Sequence, residues 1–529
     1  EQIFSRFYAN SLASSVANSH PKVQRVFEQW RNTDAMLSNL SKNEELKTAL
    51  LTETPWVLNA QSEEQQKKRI GLLFDLNKMS NEQDIALQKM IERQDGNGGF
   101  SWFPGGRDSW YITQHIVSGM GHLDKLGVKA LKDDQKANQM MTKSVNYIDN
   151  RLAEYYSELK RNLEKYGGKL EDDNLDRMAI HYLYTRSFFG EIPIPNGTQE
   201  AFDYYVSQSE KYWTDKGLYS QGMIALALHR NNKPTIPANI IKSLKERSLN
   251  NEEMGMYWKY NRGYYWYQHP IETHSLMIEV FRDVAQDDQA VDDLKVWLLK
   301  NKQTNHWRTT KATSSAVYAL LMSGSNWLLE DDPVQVKVGT KTIDQSQLKT
   351  EAGTGYFKTS WDGKAIENSM SKVEVTNPND VVAWGAMYWQ YFEQLDNITT
   401  FEDTPLTLKK QLFREENTDT GPAIRPLAEG TSLTPGDKLK VRIELRVDRD
   451  MEYIHMKDMR AAGFEPVNVL SQYKWQGGLG YYESTRDAAT HFFMERLPKG
   501  TYVFEYPLRV QHAGDFSNGI TTIQCMYAP

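Results

Sequence analysis

The sequence predicts a multidomain chain that is helical in its first part and antiparallel β in its last, and three observations predict it. Apolar residues recur at three- and four-residue spacing up to about Trp327, the period of a helix with one buried face. After Asp331-Asp332-Pro333 the period drops to two, as in strands with one face in a core and the other in water. A length of 529 residues exceeds what one hydrophobic core organises, so two to four domains of about 150 residues are expected.

In the helical part, Ile70, Leu73 and Phe74, then Leu87, Met90 and Ile91, mark helix between Ser62 and Arg93. Leu175, Met178, Ala179, Tyr182 and Leu183 form a second stripe. Ala312, Ala316, Ala319 and Leu320 form a third, whose small side chains let helices approach closely. A unit recurs here: a Gly/aromatic turn, a Ser/Thr-bearing helix start, and an Ala/Leu-rich helix. Its copies begin near Gly99-Phe100-Ser101-Trp102, Lys216-Gly217-Leu218-Tyr219-Ser220, Tyr265-Trp266-Tyr267 and His306-Trp307-Arg308-Thr309. The last three lie about 40 to 50 residues apart, the span of one helix pair. An array of helix pairs without polar capping repeats buries more surface by closing, so residues 1–327 are expected to form an α/α toroid.

In the β part, Val334, Val336 and Val338 alternate with polar residues, as do Leu439 to Val447 and Tyr502 to Val510. Asn377-Pro378-Asn379-Asp380, Pro435-Gly436-Asp437 and Pro498-Lys499-Gly500 supply turns. Pro507 lacks an N–H, which predicts an edge or a bulge in the last strand. A boundary near Asp396 to Pro405 separates residues 328–400, too short to close a sandwich alone, from a sandwich over residues 401–529. The shorter piece should pair with strands supplied from elsewhere, including upstream of Glu1.

Composition narrows function. A net charge of −7 and a pI near 6.0 leave no basic footprint for nucleic acid or anionic lipid. No apolar run approaches the ~18 residues of a membrane helix, so any anchor or export signal is expected upstream of Glu1. A single cysteine, Cys525, excludes an internal disulfide and any multi-cysteine metal site. The 11 histidines show no metal-ligand spacing, so neither metal nor cofactor is expected, and His115, His122 and His274 read as hydrogen-bonded helix histidines. The acidic runs at residues 171–174 and 286–293 suit helix starts better than acid/base pairs. Gln94-Asp95-Gly96-Asn97-Gly98-Gly99-Phe100-Ser101-Trp102 reads as a tight inter-helix turn with aromatic plugs.

Several strings together resemble the C-terminal part of a bacterial alpha-2-macroglobulin of the Bacteroidetes kind. Glu1-Gln2-Ile3-Phe4-Ser5-Arg6-Phe7-Tyr8 resembles the end of that family's Cys-x-Glu-Gln thioester motif and the residues after it. Gly98 to Gly106 resembles a turn of its helical thioester domain. His455 to Pro466, Arg496 to Tyr502, Gly514-Asp515-Phe516 and Met526-Tyr527-Ala528-Pro529 resemble its terminal macroglobulin-like domain. The resemblance implies a toroidal thioester domain over residues 1–327, a CUB-like β segment over 328–400, and a receptor-binding-like sandwich over 401–529.

It also implies a broad-range endopeptidase inhibitor of the periplasm or cell envelope, lipid-anchored through upstream sequence and serving host defence. Target proteases are its partners, trapped after bait cleavage, and a cell-wall enzyme is a further one. By the same resemblance Gln2 supplies the acyl group of the thioester, Glu1 is its neighbour in the motif, and Tyr527 belongs to an aromatic shield. The cysteine would stand two positions before Glu1, and Cys525, followed by Met526-Tyr527-Ala528, does not replace it. Complement proteins of this kind relay the acyl group through a histidine; His115 lies well inside a helix, so the relay is not assigned and direct attack by amines is expected. Two alternatives stand beside this reading: a toroid carbohydrate-processing enzyme or binding module, and a thioester-less envelope scaffold of the same family.

Overall fold

The computed structural model describes residues 2–19, 55–56, 65, 76–128, 134–252, 254–260, 269–302, 307, 309–322, 332–348, 350, 355–378, 383, 385–394, 397–400 and 404–526. They fall into two compact units, residues 1–33 with 68–382 and residues 34–67 with 383–529.

The first unit contains helices α1 (Gln2–Ser19), α2 (Leu76–Arg93), α3 (Trp110–Lys125), α4 (Gln135–Tyr166), α5 (Arg177–Arg186), α6 (Asn196–Tyr212), α7 (Leu218–Arg230), α8 (Thr235–Arg247), α9 (Pro270–Val280), α10 (Asp288–Lys300) and α11 (Thr310–Leu321). Their starts are built from local chemistry. Ser109, Asp134, Asp176, Asp287 and Thr309 each accept a hydrogen bond from a first-turn backbone N–H of the helix they precede. The acidic run at 286–293 thus contains the cap of α10. The run at 171–174 stops short of the cap of α5, Asp176, and closes the preceding loop, where Asp172 accepts from Lys169 N and Asp173 from Leu175 N. Copies of the recurring unit precede α3, α7, α9 and α11; the 265–267 string and His306 lie outside the described residues, as do Ile70, Leu73 and Phe74.

Packing sorts the helices into two sets. Among the odd-numbered ones α1 packs on α3, α3 on α5, α5 on α7, α7 on α9, α9 on α11, and α11 back on α1. The even-numbered helices pack against these from the side, and one continuous apolar core runs from Phe4 to Met322. A short hairpin, β1 (Leu249–Asn251) with β2 (Gly255–Tyr257), interrupts the helices where sequence periodicity gives no sign of strand. β3 (Gln335–Val338), β4 (Lys341–Thr342) and β5 (Val373–Thr376) form a small antiparallel sheet.

The second unit holds two five-stranded antiparallel sheets. One has the order β10 (Phe464–Pro466), β14 (Gly500–Val510), β8 (Lys438–Val447), β6 (Leu406–Thr418), β7 (Gly421–Pro426). The other has β11 (Gln472–Gln476), β12 (Leu479–Thr485), β13 (Ala489–Leu497), β9 (Met451–Met459), β15 (Thr521–Cys525). Leu439, Val441, Ile443, Leu445 and Val447 from the first meet Ile454, Met456, Phe492 and Met494 from the second in one core. Cys525 packs at its margin, its thiol donating to Glu452 O.

Pro507 departs from expectation. β14 is an interior strand with continuous register, Pro507 opposite Lys440, and neither an edge nor a bulge. The reason is the shortness of β10, whose ladder ends at Pro466 opposite Leu508. Pro507 O accepts from Val467 N on that side, and a residue's N–H and C=O point the same way in an antiparallel strand, so the missing N–H falls where the ladder has already stopped.

At the centre of the sandwich Asp458 is fully buried and accepts from Lys410 Nζ at 2.7 Å, Thr521 Oγ1 at 2.6 Å and the Tyr506 hydroxyl. Asp458→Ala is expected to cost about 3–5 kcal/mol by stranding the Lys410 ammonium. Urea unfolding of the variant measures it, and a loss below about 1 kcal/mol would contradict the assignment.

Candidate functional site

The first turn of α1 carries the one described residue of the expected motif. Gln2 is exposed there, while Glu1 and Tyr527 lie outside the described residues. Below it Phe4, Phe7, Tyr8, Ser11 and Leu12 form a buried stripe at helical spacing. The stripe lies close on α3 because Gly119 has no side chain: a Cβ at that position would stand 2.4 Å from the Phe4 ring.

A row of rings leads from the surface to this turn. Trp102, 47% exposed, stacks on Tyr111 at 5.9 Å, Tyr111 on His115 at 6.5 Å, and His115 meets Phe4 edge-on at 5.5 Å. The Gly-rich turn positions its outer end. Gln94 Nε2 donates to Met140 O at 2.8 Å and Ser144 Oγ at 2.9 Å, and Gly98, at φ +93°, presses so close to α4 that a Cβ would meet Lys143 O at 2.3 Å. Of the expected plugs Phe100 is buried but Trp102 is exposed, so part of that string is surface and not core.

His115 stands one helical turn from Gly119 with its ring against α1. Burial, then the positive Lys311, hold its basicity well below the ordinary histidine range, so it is a neutral imidazole at neutral pH. Its position along the helix argues against a role when only the sequence is in view. The structure shows that being inside α3 is what brings it beside the head of α1.

Beneath this row lies a polar cluster to which each odd-numbered helix contributes. Tyr8 (α1) is hydrogen-bonded to His122 Nδ1 (α3) at 3.2 Å, and His122 Nε2 to the Tyr184 hydroxyl (α5) at 2.8 Å. Tyr184 donates to Glu279 Oε2 (α9) at 2.8 Å; Tyr318 (α11), Lys125 (α3) and Arg230 (α7) donate to Oε1 at 3.1, 2.9 and 2.6 Å. His122 also stacks on Tyr318 with centroids 4.0 Å apart. A π-helical turn, Phe281–Ala285, follows α9 and brings Asp283 to Arg230 and Lys125 as well.

Electrostatics fix the protonation states. Burial opposes charge on Glu279, but Arg230 and Lys125 outweigh it and hold the carboxyl well below its usual range. Burial pushes His122 down to about 4, and the nearby Glu279 only partly offsets it. The cluster is therefore ionised at Glu279 and Arg230 and neutral at His122. Its members are far apart in sequence, and the one signal the sequence offers is a polar residue set among apolar ones on a helix, as at His122 and Glu279. Among the described residues no group of three or more His, Cys, Asp or Glu could hold a metal ion, and no helix is long and apolar enough to cross a membrane.

Two outcomes are expected. His122 and His274, brought down to about 4 and about 3, stay neutral when folded but take up protons near 6.5 when unfolded. Stability should then fall as pH drops from 6.5 towards 4, by up to about 1.4 kcal/mol per pH unit per histidine, and His122→Gln should shallow that slope in pH-dependent urea melts. Gly98→Ala should destabilise the helical unit by roughly 2 kcal/mol or more, read from its thermal transition, since both φ and Lys143 O oppose a Cβ.

Residues 406–529 match the family model described as the bacterial alpha-2-macroglobulin MG10 domain. No curated protein matches the chain. Among solved structures, trypsin-activated alpha-2-macroglobulin from Escherichia coli is 13% identical with a TM-score of 0.42, the match covering 86% of this chain and 29% of that one. Salmonella alpha-2-macroglobulin reacted with methylamine is 14% identical with a TM-score of 0.31, over 86% of this chain and 27% of that one. A native Escherichia coli alpha-2-macroglobulin piece spanning MG7 to the C-terminus is 13% identical with a TM-score of 0.31, over 85% and 66%. This chain spans under a third of the length of the first two. Residues 406–529 are thus similar to the MG10 domain of bacterial alpha-2-macroglobulins.

Proposed function

We propose that the chain is the C-terminal part of a protease trap in which Gln2 supplies the acyl group of a thioester to a cysteine two positions before Glu1. The carrying observation is the head of α1: the turn that bears Gln2 is seated on rings from Phe4 to Trp102, and the exposed side of Gln2 would take its cover from the rest of the trap. An acyl thioester persists only where water and amines are kept off, which apolar rings do by leaving water no partner. Tyr527 would add to that cover. Its neighbour Met526 is buried against Trp56 and Phe493.

In this reading residues 1–327 are an α/α-toroid thioester domain, supported by the cycle of contacts from α1 through the odd-numbered helices back to α1. Residues 328–400 are a CUB-like β segment, supported by the exposure of Met387, Tyr388, Trp389, Tyr391 and Phe392, apolar residues that want a sheet to join. Residues 401–529 are the receptor-binding-like sandwich.

Cleavage of a bait region elsewhere in the protein would expose the bond to a lysine of the attacking protease. The amine attacks the Gln2 acyl carbon, an amide forms, and the thiol leaves with the proton. His115 lies edge-on to Phe4 of that turn with its basicity held low by burial, so no relay is assigned to it and direct attack by amines is the expected route. Envelope localisation, a lipid anchor and a cell-wall enzyme partner belong to the same proposal. A glycosidase is less well supported: Glu279 is held ionised, and Asp149, the buried carboxyl that burial shifts upward, is occupied by Arg186 and Tyr182.

The parent protein, with its upstream residues, is expected to gain one methylamine at Gln2 and release one thiol on methylamine treatment, as read by intact mass and thiol titration. A folded protein that takes up no amine even after bait cleavage would remove covalent chemistry and leave physical trapping or scaffolding.

A further inference from the structure

Of the four outer edges of the two sheets in the second unit, three are blunted. β10 is three residues long and ends in Pro466; β7 carries Pro422 and Pro426; β15 packs against β6. β11 differs. Among the described residues it pairs with β12 on one side only; it holds no proline and turns Tyr473 and Trp475 outward at 72% and 78% exposure. Just ahead of it Val467, Val469 and Leu470 are exposed as well. A lysine at the centre of an edge strand ordinarily repels an incoming strand, but Lys474 is turned to the buried Glu483 at 2.7 Å and its charge is compensated.

Trp475 is held ready. Its cross-strand partner is Gly480, where a Cβ would stand 2.8 Å from the indole, so the ring lies flat over β12. Tyr473 leans on its partner Tyr482 at 4.9 Å. The strand thus presents two fixed aromatic rings beside an open row of backbone groups.

The sequence of β11, Gln472-Tyr473-Lys474-Trp475-Gln476, reads nearly the same in both directions about Lys474. We infer that β11 is a self-pairing edge: a second copy of this chain adds its own β11 antiparallel, on a two-fold axis through Lys474. That register sets Tyr473 opposite the second copy's Trp475 and Gln472 opposite its Gln476. Aromatic pairs across an antiparallel ladder are among the favourable ones. It also carries Leu470 towards the second copy's Gly477-Gly478 turn, which has no side chains to obstruct it. The isologous pairing would join two five-stranded sheets into one. It is independent of the thioester reading.

Sedimentation velocity of the full chain across a micromolar concentration series tests it. The wild type is expected to shift from monomer to dimer with concentration. Tyr473→Glu and Trp475→Lys should each weaken association by roughly tenfold, since each substitutes both symmetry-related aromatic pairs. Both side chains are exposed, so thermal melts should stay near wild type and separate lost pairing from lost folding. An equimolar mixture of the two variants should recover association, because the inferred register sets the new carboxylate of one chain opposite the new ammonium of the other and leaves the second aromatic pair intact. A chain that stays monomeric throughout, variants that associate as the wild type does, a mixture that fails to recover, or a monomer that instead takes an extended peptide or a glycan at this edge would each overturn self-pairing.

Discussion

The helical unit depends on a buried charge. Glu279 lies at the meeting point of six helices that share no local sequence, and each sends a polar side chain into the cluster around it. Taking a carboxylate out of water costs several kcal/mol, which is recovered here only because two cations and two tyrosines converge on it. Apolar contacts would tolerate a helix sliding by part of a turn. Directional bonds to one carboxylate do not, so the cluster sets the register of α1 against α3 and α11. It adds specificity more than stability.

That register matters for the head of α1. Tyr8 ties the helix to His122, and Phe4, one turn earlier, lands on His115. The same α3 therefore holds both the anchor of α1 and the ring beside its first turn. The absence of a side chain at Gly119 makes the spacing possible. Tyr8 and Phe4 are thereby fixed against α3, while Gln2, ahead of them, is exposed.

Much of this is legible in the sequence where the physics is local. Period-two runs correspond to β8 and β14, Ser and Thr starts to caps, and the recurring Gly/aromatic turn marks the entrances to α3, α7, α9 and α11. What escapes is non-local. Tyr184, Arg230 and Glu279 are polar side chains in apolar helices, and nothing in their own neighbourhoods says they meet. Pro507 misleads for a related reason. Its effect depends on how far β10, a strand from another part of the chain, extends beside it. The contact of His115 with Phe4 escapes in the same way, because position along a helix does not say which other helix lies against it.

The two units solve the same problem in different ways, and the comparison separates requirement from accident. The sandwich also buries one carboxylate, Asp458, but its partners come from β6, β14 and β15, elements already fixed by ladder hydrogen bonds. Strand register is set by the backbone, so Asp458 reinforces an arrangement that exists without it. Helices have no such ladder between them, and ridges and grooves leave crossing geometry loose. In the helical unit, then, the polar cluster carries the information that backbone pairing carries in the sandwich. Changes at Glu279 are for that reason expected to disturb the setting of α1 more than changes at Asp458 disturb any strand.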